Sequence, residues 1–209
     1  MEKTRNEKRD EGAELVRLSL EYCKLLDRID KLPLHEFLDR VSSLLMAVYR
    51  QTFEVTRFQT RYESEPQKFL TEKQYNKVRE TVKFIFDKRD SYTEIIDPAK
   101  PANTRSFQAS LSEDLTDIYQ DFYDFVNWYS VGTFESVNDS LVECLSSFEK
   151  YWGIKLLGVL RAIHQVRYTT KDGTIFRDPL NDEDDDIPDK EDDQVIDTEA
   201  LNDFLKEEL

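Results

Sequence analysis

The chain has 209 residues, of which 29 are Lys or Arg and 44 are Asp or Glu, for a formal net charge of −15. The acid is concentrated at one end: residues 170–209 hold 16 acidic and 4 basic side chains, which leaves 28 acidic and 25 basic for residues 1–169. A nearly neutral body with an acidic end argues against nucleic acid as a direct ligand, because phosphate binding needs a concentrated Lys/Arg surface. No run approaches the roughly 20 apolar residues of a membrane span, so no membrane is expected as a partner.

The first residues, MEKTRNEKRDEG, are charged throughout with no apolar core of a secretory signal behind them. Cys23 and Cys144 stand in apolar helical surroundings. Both features point to a reduced, cytoplasmic setting. Five Gly and six Pro among many Leu, Phe and Tyr favour helices over a turn-rich sandwich.

From about Asp10 to Lys31, Leu15, Leu18, Tyr22, Leu25, Leu26 and Ile29 keep helical spacing, and Pro33 separates this helix from the next. A second helix carries Leu34, Phe37, Val41, Leu44, Leu45, Val48, Tyr49, Val55 and Phe58 as its buried stripe. RYESEPQKF breaks the pattern, and Thr71 with Gln74 predicts a capping box that opens a third helix. The stretch from Asp97 to Ser110, with two prolines and no period, reads as a loop.

Ser110 or Ser112 caps a fourth helix, which Gly132 ends. Val137 to Trp152 predict a fifth, and Gly153 either ends it or loosens it before a sixth running through Ile154, Leu157, Leu160, Ile163 and Val166. The fold class is therefore all-α: an antiparallel bundle of about six helices over residues 1–168. Beyond it, residues 169–209 form an acidic tail. An Asp-Gly pair predicts a small β-hairpin near 166–177. A solvated run, LNDEDDDIPDKEDDQ, then leads to a short acidic amphipathic helix carrying Leu201, Phe204 and Leu205.

The fourth helix, SEDLTDIYQDFYDFVNWYSVG, separates two chemistries. At about 100° per residue, Leu115, Ile118, Tyr119, Phe122, Val126 and Tyr129 share one side, while Asp114, Asp117, Asp121 and Asp124 share the other. Trp128 falls among the carboxylates. Two readings follow: a solvated acidic face whose Trp lies under a loop, or a recognition surface in which Trp128 anchors a basic protein partner. In a variant, the stripe faces Arg161 and His164 of the sixth helix, and an Arg–carboxylate pair holds the two helices together.

The block SEDLTDIYQDFYDFVNWYSVGTFESVNDSLVECLSSFEKYWGIKLLGVLRAIH, with FLTEKQYNKVRETV and DPAKPANTRSFQASLSEDL upstream, resembles an all-helical bacterial family of unknown function. The resemblance spans about Glu14 to Tyr168. It implies the helical fold and a cytoplasmic origin, and brings no activity, cofactor or ligand.

One enzymatic pattern stands beside this. DEGAE at Asp10–Glu14 and EFLD at Glu36–Asp39 look like the paired acidic motifs of all-helical nucleoside triphosphate pyrophosphohydrolases, in which Glu11, Glu14, Glu36 and Asp39 would hold Mg²⁺ against a triphosphate. The spacing is common in so acidic a chain, and no Lys/Arg cluster for phosphates accompanies it. His35 and His164 lack the Glu-x-x-His pairing of di-iron bundles. Asp182, Asp184 and Asp186 imitate a calcium loop, but Ile187 replaces its glycine. The first expectation is thus a non-enzymatic helical module that binds another protein and needs no metal or cofactor; the alternative is the Mg²⁺-dependent hydrolase.

Overall fold

In a computed structural model of the chain, the described residues are 5–55, 66–96 and 105–168. Their elements are α1 (Arg5–Leu26), α2 (Leu34–Glu54), α3 (Glu72–Phe86), β1 (Ser91–Ile96), β2 (Arg105–Ser110), α4 (Leu111–Ser130), α5 (Phe134–Ser147) and α6 (Gly153–Tyr168). The expected all-α bundle is present, with one addition. β1 and β2 pair antiparallel, from Ser91 opposite Ser110 to Ile96 opposite Arg105.

Local chemistry sets the boundaries. α1 stops at Leu26, five residues earlier than its periodicity suggests, and a 3-10 turn over Ile29–Lys31 hands the chain to Pro33 at the start of α2. Thr71 and Gln74 make the reciprocal capping box of α3, the Thr71 side chain accepting from the Gln74 N–H. Ser110 caps α4 by accepting from Glu113 N, and Gly132, at φ 77°, takes the left-handed conformation that follows the helix.

Gly153 does not break the helix. α5 continues through a π turn at Phe148–Trp152 directly into α6. A Cβ at Gly153 would collide with the Phe148 carbonyl and ring, which explains why the widened turn takes glycine there.

The hairpin corrects two expectations. Residues 105–110 belong to β2 and not to a loop, while Val166–Tyr168, assigned to a hairpin at 166–177, lie within α6. Alternation was legible in SYTEII, where Tyr92 is buried and Thr93 exposed, but the prolines of the intervening stretch concealed its partner strand. Asp90 fastens the hairpin base to α4. Its backbone oxygen accepts from Leu111 N at 2.8 Å, and its carboxylate accepts from Ser112 N at 2.7 Å and from the Ser110 and Ser112 hydroxyls at 2.8 Å. A carboxylate at this position also complements the positive end of the helix.

α4 is the central rod, packed against α1, α3, α5 and α6, while α2 rests on α1 and α6. The aromatic core runs through it. Tyr22 meets Phe122 edge-on at 5.2 Å, Phe122 meets Trp152 at 4.9 Å, and Trp152 meets Phe148 at 4.7 Å. The Tyr22 hydroxyl, in the middle of this core, donates to the Leu115 carbonyl at 2.9 Å. Cys23 and Cys144 are buried free thiols, and burial pushes both thiol pKa values up, away from reactivity. The features expected in the tail, including the solvated run and the calcium-like aspartates, lie outside the described residues.

Candidate functional site

A helix enclosed on four sides leaves no broad face for water, so the aspartates of α4 end up inside. Asp114 and Asp124 are buried, and Asp117 and Asp121 are half-buried. Buried carboxylates require partners, and each of these has them.

Asp114 and Asp117, one turn apart, share Lys155 of α6, whose Nζ lies 2.6 Å from Asp114 Oδ1 and 2.6 Å from Asp117 Oδ2. Three tyrosines complete the shell. Tyr92 of β1 donates to Asp114 Oδ2 at 2.7 Å, Tyr75 of α3 to Asp117 Oδ1 at 2.6 Å, and Tyr151 of the π turn to Asp117 Oδ2 at 2.8 Å. Lys155 also stands over the Tyr151 ring, 4.9 Å from its centre. One lysine and two carboxylates thereby join α3, β1, α4, the π turn and α6.

The protonation states are fixed by the same contacts. Burial works against the Lys155 ammonium, but its hydrogen bonds to Asp114 and Asp117 outweigh that and raise its pKa. Burial and the bond to Asp117 raise Tyr151 to about 12, and burial with the bond to Asp114 moves Tyr92 upward. At neutral pH the cluster holds one ammonium and neutral phenols. Its donors are committed to carboxylates, a chemistry suited to holding elements together and not to proton transfer.

Gly158 lets the hairpin approach. A Cβ there would lie 2.5 Å from Glu94 Oε2 and 3.0 Å from the Tyr92 hydroxyl. Next to it, Arg161 donates to the Thr93 carbonyl at 2.6 Å and pairs with Glu94 at 3.3 Å.

Further along α4, Asp124 Oδ1 accepts from Phe69 N at 2.7 Å and Leu70 N at 2.9 Å, fixing the approach to α3. Lys68 Nζ lies 3.5 Å from its other oxygen, an ion pair without a hydrogen bond. Asp121 accepts from the Ser147 hydroxyl at 2.8 Å, and burial pushes its pKa up to about 6, against the pull of that bond and of Lys68.

A carboxyl group whose folded pKa lies above its unfolded value stabilises the fold in its protonated form. Its contribution is complete below about pH 4 and disappears as pH rises through 6. The Asp121→Asn variant is therefore expected to be more stable than the parent at pH 7, by on the order of 2 kcal/mol, and to lose the slope of stability between pH 4 and 6. Urea titrations at several pH values measure both quantities.

The structure places the sequence-derived candidates as follows. Asp114, Asp117, Asp121 and Asp124 line one face of α4 as expected, but that face is interior and not solvated. Trp128 is 2% exposed, which puts it out of a partner's reach in this conformation, and its Nε1 has no hydrogen-bond partner. Arg161 and His164 do share a face of α6, yet it is turned outward: Arg161 engages the hairpin, and His164 lies 4.7 Å ring to ring from Tyr168. Lys155, six residues before Arg161, is the cation that meets the acidic stripe. Sequence reasoning passed over it, although its position one turn from Tyr151 was the available signal. Leu201, Phe204 and Leu205 lie outside the described residues, as does the side chain of Glu11.

Glu14 pairs with Arg17 of its own helix at 2.6 Å, Glu36 with Arg40 of its own helix, and Asp39 with Arg167 of α6. These three carboxylates are thus each turned to a separate arginine. Among the described residues no group of three or more His, Cys, Asp or Glu side chains is placed to share a metal ion.

Outside the interior, large apolar side chains remain uncovered on several elements, Phe84 of α3 most of all at 85%, and two adjacent helices carry more than one each. On α2, Met46 is 56% and Phe53 68% exposed; on α6, Ile154 is 64% and Leu157 50% exposed. Phe53 rests on Phe148 of the π turn, with ring centres 6.1 Å apart, just ahead of Ile154 and Leu157. Arg161, His164 and Tyr168 continue the exposed side of α6 at helical spacing.

The model of a family described as Domain of unknown function (DUF5063) matches residues 6–169. Among solved structures, protein BF1032 from Bacteroides fragilis is similar at 29% identity and a TM-score of 0.67, over 77% of this chain and 94% of that one. No curated protein matches the sequence. Among the described residues no helix is long and apolar enough to cross a membrane.

Proposed function

Because this chain belongs to the DUF5063 family, whose description brings no activity with it, we propose from its own surface that it is a non-enzymatic cytoplasmic module that holds another protein. The observation that carries this reading is the uncovered apolar side of α2 and α6. Scattered exposed apolar residues are ordinary on any protein, but Phe53 and, on the helix packed against α2, Ile154 and Leu157 are each at least half exposed, and Arg161, His164 and Tyr168 follow on the same side of α6. Aromatic, aliphatic and arginine side chains of this kind form the centres of protein interfaces. The carboxylates that would otherwise suggest acid–base chemistry are committed to Lys155, tyrosines, backbone N–H groups and arginines.

The test is a capture experiment from native bacterial lysate with the full chain and with the Ile154→Asp, Leu157→Asp double variant, followed by titration of the captured protein in purified form. Both positions are exposed, so the variant folds. The expected result is a partner whose affinity falls at least tenfold in the variant. A partner held equally by both chains would move recognition elsewhere. Mg²⁺-dependent release of pyrophosphate from nucleoside triphosphates, lost in Glu36→Gln, would replace this reading with the hydrolase.

A further inference from the structure

A second surface lies where α2 meets α1. Between α1, the 3-10 turn that follows it and α2 runs an open groove of about 920 Å³. The half-buried Leu32 and Leu44, with the buried Leu25 beneath, contribute its apolar lining; Lys24, Arg28 and Lys31 stand along the α1 side, and Arg40, paired with Glu36, along the α2 side.

The charges do not cancel. The two acids of the groove are engaged by arginines that do not line it, Glu21 by Arg17 at 2.5 Å and Asp39 by Arg167. Lys24, Arg28 and Lys31 are exposed and have no ion-pair partner among the described residues. A body of nearly balanced charge therefore presents three unpaired cations at one place, beside leucines. Compensation of a helix C-terminus accounts for Lys24 in the last turn of α1, but not for the apolar lining next to it.

The geometry points to this groove as the docking site of an acidic amphipathic helix from a partner protein. The leucines take the apolar face of that helix, and Lys24, Arg28 and Lys31 pair with the carboxylates at its edge. Helix-in-groove recognition combines these two components. A small anion would use the cations and leave the leucines idle, so the peptide fits the site better. The residues that carry this assignment, Lys24, Arg28 and Lys31, stand on or just after α1 and are distinct from Ile154 and Leu157 of α6, on which the proposed function rests.

Fluorescence anisotropy tests the assignment, with the full chain and a labelled synthetic four-turn peptide carrying Leu and Phe at helical spacing and Glu elsewhere. The expected result is saturable binding that weakens as salt rises. It falls at least tenfold in the Lys24→Glu, Arg28→Glu, Lys31→Glu variant and severalfold in Arg28→Ala alone, and it is absent when the peptide carries Lys in place of Glu. Circular dichroism confirms that each variant is folded. The Ile154→Asp, Leu157→Asp variant binds the peptide like the parent, which separates this site from the other.

No binding, or equal binding by the charge-reversed variant, overturns the proposal. Sedimentation with phosphatidylserine vesicles that requires the same three cations, in the absence of peptide binding, would assign the patch to a membrane surface and overturn it as well.

Discussion

The Lys155→Met variant is expected to unfold about 3 kcal/mol more easily than the parent, the low end of what breaking a buried ion pair costs. Methionine keeps most of the aliphatic stem, so the loss comes from charge and not from volume. Without the ammonium, Asp114 and Asp117 face each other across one turn of α4 with only tyrosine hydroxyls to satisfy them. The Lys155 side chain is 25% exposed, and that access to water keeps the penalty below the top of the range. The damage extends beyond one contact, because the same lysine joins α6 to a helix already bonded to α3 and β1. Urea denaturation measures the loss as a lower midpoint at unchanged slope. A variant as stable as the parent would mean that the lysine lies free in water.

The second large effect is expected at Trp152, which is fully buried. It meets Phe122 edge-on at 4.9 Å and Phe148 at 4.7 Å, and its Nε1 donates to the Cys144 carbonyl at 3.1 Å. The Trp152→Ala variant should lose about 4 kcal/mol, from lost burial and from the cavity left among aromatic neighbours. Trp152→Phe should lose roughly 1–2 kcal/mol, because it keeps most of the ring contact but not the hydrogen bond. Thermal unfolding followed by near-ultraviolet circular dichroism ranks the two. The residue also closes the π turn that aims Tyr151 and Lys155 at Asp117, so the alanine variant should disturb that cluster in addition to the core.

Much of this fold was readable because local signals and burial agree in it. The Thr71 box, the Ser110 cap and Gly132 fell where side-chain hydrogen bonding and backbone freedom require them. The apolar stripe of α1, and that of the second helix as far as Val55, became the core, while α2 itself ends at Glu54 and Phe58 lies outside the described residues. Gly153 was ambiguous because its purpose is a close approach to the Phe148 carbonyl, which no helical period encodes.

The site was less legible, for a physical reason. Periodicity divides a helix into two faces but does not say how many neighbours surround it. The aspartates of α4 therefore read as solvent-facing, when the helix in fact lies at the centre of the bundle. Trp128, placed among them, was a hint that this side is covered, since a large ring on a wet face is costly. Lys155 was hidden because its partners lie 41 and 38 residues away. The hydrolase reading depended on sequence spacing, which brought Glu14, Glu36 and Asp39 to separate arginines and not to one another.

The acidic stripe of α4 is an internal tie between elements, joined through Lys155 and the tyrosines to α6, α3 and β1. A double-mutant cycle between Lys155→Met and Asp117→Asn tests it most directly, through four urea titrations under one buffer. The expected coupling is on the order of 2 kcal/mol, with Asp117→Asn recovering part of what Lys155→Met loses, since it removes one of the two carboxylates left without the lysine. Strict additivity of the two losses would contradict it, and would return the stripe to the solvent-facing role that its pattern alone suggests.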